Sequence, residues 1–374
     1  MSAAQKRASS SSSSAPDDAA KKERKRAPVR PSSSILLLSP MNQVLLLHRV
    51  QTSSSFASAH VFPGGNLSSF HEGELPPLDS QEIHRDSEAY RLAAVRETFE
   101  ESGILLARRR DGCGLLSVSG EVMEAGRKEV HGNRVKFVDW LDGIGGVPDL
   151  DDLIPFTRWI TPIGVPKRFS TQMYLYMLPL STPAPGTPDH QTIIHTPTHD
   201  GGLEHTAATF DDASAWLDRA RAGEILLFPP QLYLLNLVSE FTRTSPSSAQ
   251  GDVAAQYQSQ RDALLQFLQK VPTTAIRPNA TPNAKPHATA QIPWAEKVMS
   301  PTSLFIRRSD KRVVLGLDRP GPELKGSDRG GDWDRVVLVK FQKEGPTGVE
   351  VRWRDEVLRE EREEEDGKEG SAKL

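Results

Sequence analysis

The chain has 374 residues with 46 basic and 49 acidic side chains, a net charge of −3. Its hydrophobic share of 37 % suffices for a real core, and its length suits two to three domains. The charge balance argues against nucleic-acid binding by bulk electrostatics, and the single cysteine, Cys113, excludes an intrachain disulfide or a cysteine-built zinc site. A reducing intracellular compartment follows as the expectation. The most apolar runs, Ile35–Leu38, Val44–Leu47 and Leu232–Val238, are too short to span a bilayer.

Residues 1–33 read as a disordered basic tail, rich in Ser, Ala and Lys/Arg and without apolar periodicity. The run Lys21–Arg26 has the look of a nuclear address, but a solvated tail is the commoner meaning of such runs. Order is expected from Ser34. Ile35–Leu38 and Val44–His48 should form a hairpin of buried strands, and His60–Phe62 a strand ending at Pro63-Gly64-Gly65. Asn66–Asp86 is polar, contains Pro76-Pro77, and reads as an inserted loop. From Ser87 the pattern turns helical: Leu92, Val95 and Phe99 fall at i, i+3 and i+7, and Gly103 should stop the helix.

Strands are expected at Phe156–Thr161 and Thr171–Leu178, then a Pro/Thr/His-rich loop through His199. Helices should follow at Ala213–Ala222, from Pro229-Pro230 onward with Leu232, Leu235 and Val238 on one face, and at Asp252–Val271. Residues 246–294 thus read as a helix and a Pro-rich linker, and 295–358 as a small β-rich segment. Residues 359–374 form an acidic tail that should be extended by its own repulsion.

The chemistry concentrates in Glu88–Ile104. On a helix Glu97, Glu100 and Glu101 lie at i, i+3 and i+4, so three carboxylates converge on one face. Such neighbours repel, and a hard divalent cation held by oxygens offsets that directly. A solvated acidic face is the plainer alternative, but the spacing is too particular for it. Arg96 stands beside the trio, within reach of it or of Glu88.

This stretch resembles the signature box of the Nudix hydrolases: Glu, seven residues, Arg-Glu, two residues, Glu-Glu, one residue, Gly, apolar. Glu88, Arg96, Glu97, Glu100, Glu101, Gly103 and Ile104 match. Thr98 replaces the usual aliphatic residue, and Glu82 stands where the box opens on Gly, a turn that Gly64-Gly65 would supply instead. The resemblance implies an α/β/α sandwich with a mixed sheet over residues 34–245. It implies Glu97, Glu100 and Glu101 as ligands of Mg²⁺ or Mn²⁺, with the carbonyl of Gly64 or Gly65 beside them. One of the three carboxylates is the alternative general base. Glu88 would orient Arg96 or a water, and water would attack a diphosphate.

Within that family, Leu45–Arg49, Ala59–Gly65, Arg158–Pro162 and Arg168–Thr171 are similar to the peroxisomal acyl-coenzyme A diphosphatases, although Val50 departs from their pattern. That branch implies cleavage of coenzyme A or acyl-coenzyme A to 3′,5′-ADP and (acyl-)phosphopantetheine, with Arg49, Lys167 and Arg168 on the phosphates. Surface ion pairing is an equal reading for each cation taken singly. The alternatives are a Nudix hydrolase of NADH or nucleotide sugars, or a non-catalytic binding module. Three mutually repelling carboxylates speak against the module.

Ala372-Lys373-Leu374 resembles the Ser-Lys-Leu address read by the peroxisomal import receptor, which makes the peroxisome the expected location and the cytoplasm the alternative. Glu204 is a distal carboxylate of the kind some Nudix enzymes use, or a surface residue. His190, His195, His199 and His205 are irregularly spaced and read as a solvated loop rather than a zinc site.

Overall fold

The computed structural model describes residues 27–371, except 51–57, 113, 181–196, 199–204, 244–245, 247–250, 275–285 and 344, and the side chains of 367–371. Cys113, Glu204, His190, His195, His199 and Ala372–Leu374 therefore lie outside the described residues.

The two most apolar runs of the sequence sit at the centre. β1 (Val29–Leu38) and β2 (Val44–Arg49) form the expected hairpin, closing at Leu38 opposite Val44. Strands this apolar on both faces belong in the middle of a covered sheet. β1 pairs in parallel with β8 (Arg168–Met177) along its whole length, from Val29 opposite Arg168 to Leu38 opposite Met177. β7 (Ile154–Ile160) lies antiparallel to β8, and the short β3 (His60–Val61) and β9 (His205–Asp211) pair with β2.

Alternation divides this sheet between two cores. Ile35, Leu37, Leu45, Leu47, Tyr174 and Tyr176 pack on one face with Leu92, Val95 and Phe99 of α2 (Glu88–Ser102). Leu36, Leu38, Val44, Leu46 and Leu175 pack on the other with α5 (Ala213–Arg221) and α6 (Pro229–Thr242). The result is the expected layered α/β arrangement with a mixed sheet. Each fully buried leucine contributes about 1.5–3 kcal/mol of transfer free energy to that layering. Gly103 ends α2 in the left-handed conformation at φ 71°, its N–H bonded to the Phe99 carbonyl.

Several boundaries differ from expectation. The first strand begins at Val29, not Ser34: the polar Arg30–Ser34 becomes strand because β8 on one side and β4 (Gly64–Asn66) on the other supply its partners. The segment 66–86 is not merely a loop, since it carries α1 (Ser69–Glu72) and a 3₁₀ turn at Gln81–His84. Between α2 and β7 stand a two-strand ladder of β5 (Ala107–Arg109) and β6 (Gly146–Pro148), α3 (Gly120–His131) and α4 (Phe137–Gly143).

The C-terminal segment is joined to the main sheet. After α7 (Val253–Gln269), β10 (Val298–Met299) pairs in parallel with β7 and becomes the sheet's last strand. β11 (Thr302–Ile306), β12 (Val313–Leu317), β13 (Asp332–Gln342) and β14 (Gly345–Trp353) form an antiparallel sheet. Its Leu315, Leu317, Val337 and Val339 share one hydrophobic core with Trp159 and Leu235. The acidic tail is helical rather than extended: α8 runs Arg354–Ser371. It buries Val357 against Val314, Val336 and Leu338, and Arg307, Arg308 and Arg352 pair with its carboxylates at Glu360, Glu361 and Glu365. Those cations offset the repulsion that the sequence alone suggests. Among the described residues no helix is long and apolar enough to cross a membrane.

Candidate active site

α2 packs against the Gly64-Gly65 strand, and the box residues occupy that seam. Gly64 N–H donates to Glu101 Oε2 at 2.7 Å. A side chain at Gly65 would stand 2.5 Å from the Glu97 carboxyl carbon, so only glycine lets the strand approach this closely. His205, fully buried on β9, places Nε2 3.7 Å from Glu101 Oε1. Arg127 of α3 donates to the Glu100 carbonyl at 2.6 Å, satisfying the last turn of α2.

Arg96 organises the cluster. Its Nη1 lies 2.8 Å from both Glu97 Oε1 and Glu100 Oε1, while Nε donates to Glu72 Oε1 at 2.7 Å and Nη2 to the Asn66 carbonyl at 3.1 Å. Burial disfavours its charge, but Glu97, Glu72 and Glu100 more than offset this and hold the guanidinium above its ordinary pKa. Glu100 is engaged at both oxygens, the second by His131 Nδ1 at 3.0 Å. Burial pushes its carboxyl up, yet the His131 and Arg96 contacts leave it below the ordinary value.

Glu97 goes the other way. Burial, with the charge of Glu100 added, raises its carboxyl to about 7 despite Arg96. A carboxylate so destabilised as an anion is one for which a further cation would be favourable.

Two cavities flank these side chains. The smaller, about 180 Å³, is polar and lined by Glu97, Glu100, Glu101, His71, His131 and Asn133 among others. The larger, about 770 Å³, is lined by Glu97, Glu101, Gly64 and Gly65, by Arg30, Arg49 and Lys167, and by an apolar wall that includes Phe62, Trp159 and Phe341. Glu97 and Glu101 border both.

As the side chains stand, among the described residues no group of three His, Cys, Asp or Glu is arranged to hold a metal ion. In kind the donors fit one. The three box carboxylates line one small polar cavity, the glycine strand leaves the Glu97 carboxyl uncovered by any Cβ, and oxygen donors suit a hard divalent cation.

Most of the expected site residues converge here: Glu97, Glu100, Glu101, Arg96 and Gly65, with Arg49 and Lys167 on the larger cavity. Three assignments change. His205, read as part of a solvated loop, is fully buried on β9 because it pairs with β2 beside Glu101. Arg168 is 2 % exposed, absent from the cavity lining, and bound to Glu323 Oε1 at 2.6 Å and to the carbonyls of Thr161 and Pro162. It ties the C-terminal segment to β8 rather than facing a substrate phosphate. Glu88 is exposed at the start of α2, and the Arg96 partner expected of it is Glu72.

Sequence reading missed Glu72, His131 and Arg30. The first lies in a segment read as loop, where Ser68 capping four residues ahead was the available signal; its backbone N–H is held by Glu72. For His131 the signal was the Met123, Gly126, Val130 spacing of α3. Arg30 sits in a stretch whose composition resembles the tail before it.

Residues 76–238 match the family model described as the NUDT19 Nudix domain. Residues 76–238 are thus similar to a Nudix hydrolase domain. Within that family it resembles the acyl-coenzyme A diphosphatase branch. It is 29 % identical over 246 residues to the acyl-coenzyme A diphosphatase NUDT19 of Gallus gallus, covering 54 % of this chain and 62 % of that protein. To its Homo sapiens counterpart it is 25 % identical over 54 % of this chain and 62 % of that one. A putative nudix hydrolase 7 of Caenorhabditis elegans is 28 % identical over 209 residues, 56 % of this chain and 60 % of the relative. The chain thus spans about three-fifths of these relatives. A solved Nudix hydrolase from Alicyclobacillus acidocaldarius is 22 % identical with a TM-score of 0.43, covering 56 % of this chain and 90 % of its own.

Proposed function

We propose that this protein hydrolyses the diphosphate of coenzyme A or an acyl-coenzyme A to 3′,5′-ADP and (acyl-)phosphopantetheine, with Mg²⁺ or Mn²⁺ as cofactor. The observation that carries the reading is the larger cavity, where the box carboxylates Glu97 and Glu101 and the cations Arg30, Arg49 and Lys167 border one space. Glu97, Glu100 and Glu101, with the backbone at Gly65, would hold the metal, which when bound neutralises phosphate charge and lowers the pKa of water. The protein's own part is positional. Arg96 fixes Glu100, Gly64 fixes Glu101, and the three cations draw a polyanion toward the carboxylates. Water adds to one phosphorus, the bridging P–O bond breaks, and two phosphate monoesters leave.

The names of the relatives support the coenzyme A reading over NADH or a nucleotide sugar. Incubation with a mixed pool of all three classes plus Mg²⁺, followed by mass spectrometry, tests it. Release of 3′,5′-ADP is expected; release of AMP or a sugar phosphate alone would replace the substrate, and no turnover of any class would favour a binding module.

Peroxisomal import through Ala372-Lys373-Leu374, by a receptor reading that tripeptide, belongs to the same proposal. It is supported by the resemblance of the tripeptide to a known address. Deleting those residues should move an N-terminally tagged protein from puncta to diffuse cytosol, and puncta that persist would refute it.

A further inference from the structure

The four-stranded C-terminal sheet reaches the larger cavity. Pro301, Ser303, Leu315 and Phe341 line it from that sheet and the turn leading into it, together with Ile163 and Val165 of the β7–β8 turn. None of the six is charged. Three are large apolar side chains held open to water: Phe341 at 57 %, Ile163 at 56 % and Val165 at 43 % exposure. Single exposed apolar residues are ordinary, but three around one cavity that also holds two box carboxylates call for an apolar partner.

The wall is fixed in place. β10 hydrogen-bonds to β7 with Met299 opposite Trp159, a cavity residue, and Tyr233 of α6 bonds Asp332 at the start of β13 at 2.5 Å. Lys297, buried beneath, donates to the carbonyls of Thr289 and Gly331. The sheet therefore presents a preformed surface to whatever enters.

We propose that this C-terminal wall is the acyl-chain subsite, and that Phe341 and Ser303 set the enzyme's preference for an acyl thioester over free coenzyme A. The inference rests on the substrate reading above and deepens it. The cavity's lining combines two kinds of side chain: cations and carboxylates, and uncharged, mostly apolar ones that include those of the C-terminal sheet. That division suits a substrate with a polyanionic end and a hydrocarbon end. A dinucleotide or nucleotide sugar is polar at both ends and would leave Phe341, Ile163 and Val165 wet.

The test uses the full-length protein and two variants, Phe341→Ser, which removes apolar wall, and Ser303→Trp, which narrows the space. Both positions are exposed, so neither change is expected to disturb the fold. Affinities for free coenzyme A, acetyl-coenzyme A and a medium-chain acyl-coenzyme A are measured by calorimetry in chelator, and kcat/KM with Mg²⁺. Each variant should lower the medium-chain to free coenzyme A ratio at least about tenfold in both measurements, the size expected when apolar packing around a bound chain is removed or blocked. A ratio unchanged in both variants overturns the acyl subsite while leaving the substrate reading intact. Failure of the unmodified protein to bind coenzyme A or any ester overturns the substrate reading, and the subsite with it.

Discussion

Arg96 and Glu72 form a fully buried ion pair, 2.7 Å from Nε to Oε1, in which the guanidinium is 4 % and the carboxylate 0 % exposed. The contact fastens α1, in the segment between β4 and α2, to the helix that carries the box. It also sets where the rest of the guanidinium goes, because with Nε held by Glu72, Nη1 is left to face Glu97 and Glu100. Glu72 is therefore a positioning residue for the acidic cluster.

Glu72→Gln should cost about 1.5–3 kcal/mol of stability, the worth of a charged hydrogen bond, because Arg96 keeps its other carboxylates. It should also lower kcat by up to about a hundredfold by letting Arg96 lean on Glu97, with KM changed much less. Denaturant titration and steady-state kinetics read the two effects separately. Loss of stability with kcat intact would make Glu72 a purely structural anchor.

The carboxylates themselves should divide by role. Glu97→Gln and Glu101→Gln, which border both cavities, should each cut turnover by about a hundredfold or more and abolish the rise in melting temperature caused by Mn²⁺. Glu100→Gln loses its ion pair to Arg96 and its contact to His131 together, so of the three it should destabilise the protein most without metal. Thermal melts with Mn²⁺ and with chelator distinguish these outcomes. A Mn²⁺-dependent shift preserved in all three variants would place the metal elsewhere.

The box was legible because it is local: Glu97, Glu100 and Glu101 need only helical periodicity to converge, and Gly103 needs only its φ. The central hairpin was legible because Ile35–Leu38 and Val44–Leu47 are apolar on both faces. What failed is what depends on distant partners. Arg30–Ser34 is polar and becomes strand only through β8, more than a hundred residues on. The acidic run of α8 is helical because Arg307 and Arg308, in the turn after β11, come to it from about fifty residues back, and Arg352 at the end of β14 joins them. Arg168 follows an apparent family motif, and nothing near it in sequence reveals that Glu323 lies opposite.

That pair gives a prediction opposite to the one its motif suggests. Arg168→Ala leaves Glu323 partly buried without its cation and opens three backbone contacts, a loss of about 3–5 kcal/mol. The KM for coenzyme A should move no more than that for dephospho-coenzyme A. Lys167→Ala, by contrast, removes a cavity cation and should raise KM with little change in the urea midpoint. A selective KM rise in the Arg168 variant would return that residue to the phosphate site.

His84 makes the fold sensitive to mild acid. It is buried on the 3₁₀ turn at Gln81–His84, with Nδ1 2.9 Å from Ser170 Oγ, and Arg158 donates to the same hydroxyl. Burial first, and then the positive charge of Arg158, lowers its pKa from 6.5 to about 4. Between those values the unfolded chain binds the proton that the folded chain refuses. Stability from this residue is therefore complete above pH 6.5 and is lost as pH falls toward 4. The span corresponds to about 1–3 kcal/mol, allowing for relaxation around the imidazolium. His60 is lowered to the same value, first by burial and then by His48, so it adds a parallel loss over the same window. His84→Asn keeps a hydrogen-bonding side chain at Ser170 but cannot take the proton. Its unfolding free energy should be lower than that of the unmodified protein at pH 7.5, and should then fall less steeply on acidification, leaving the His60 share. Urea titrations in steps from pH 7.5 to pH 4.5 measure both slopes. Parallel slopes in the two proteins would mean that His84 protonates in the folded state as readily as in the unfolded chain, and that the acid sensitivity resides elsewhere.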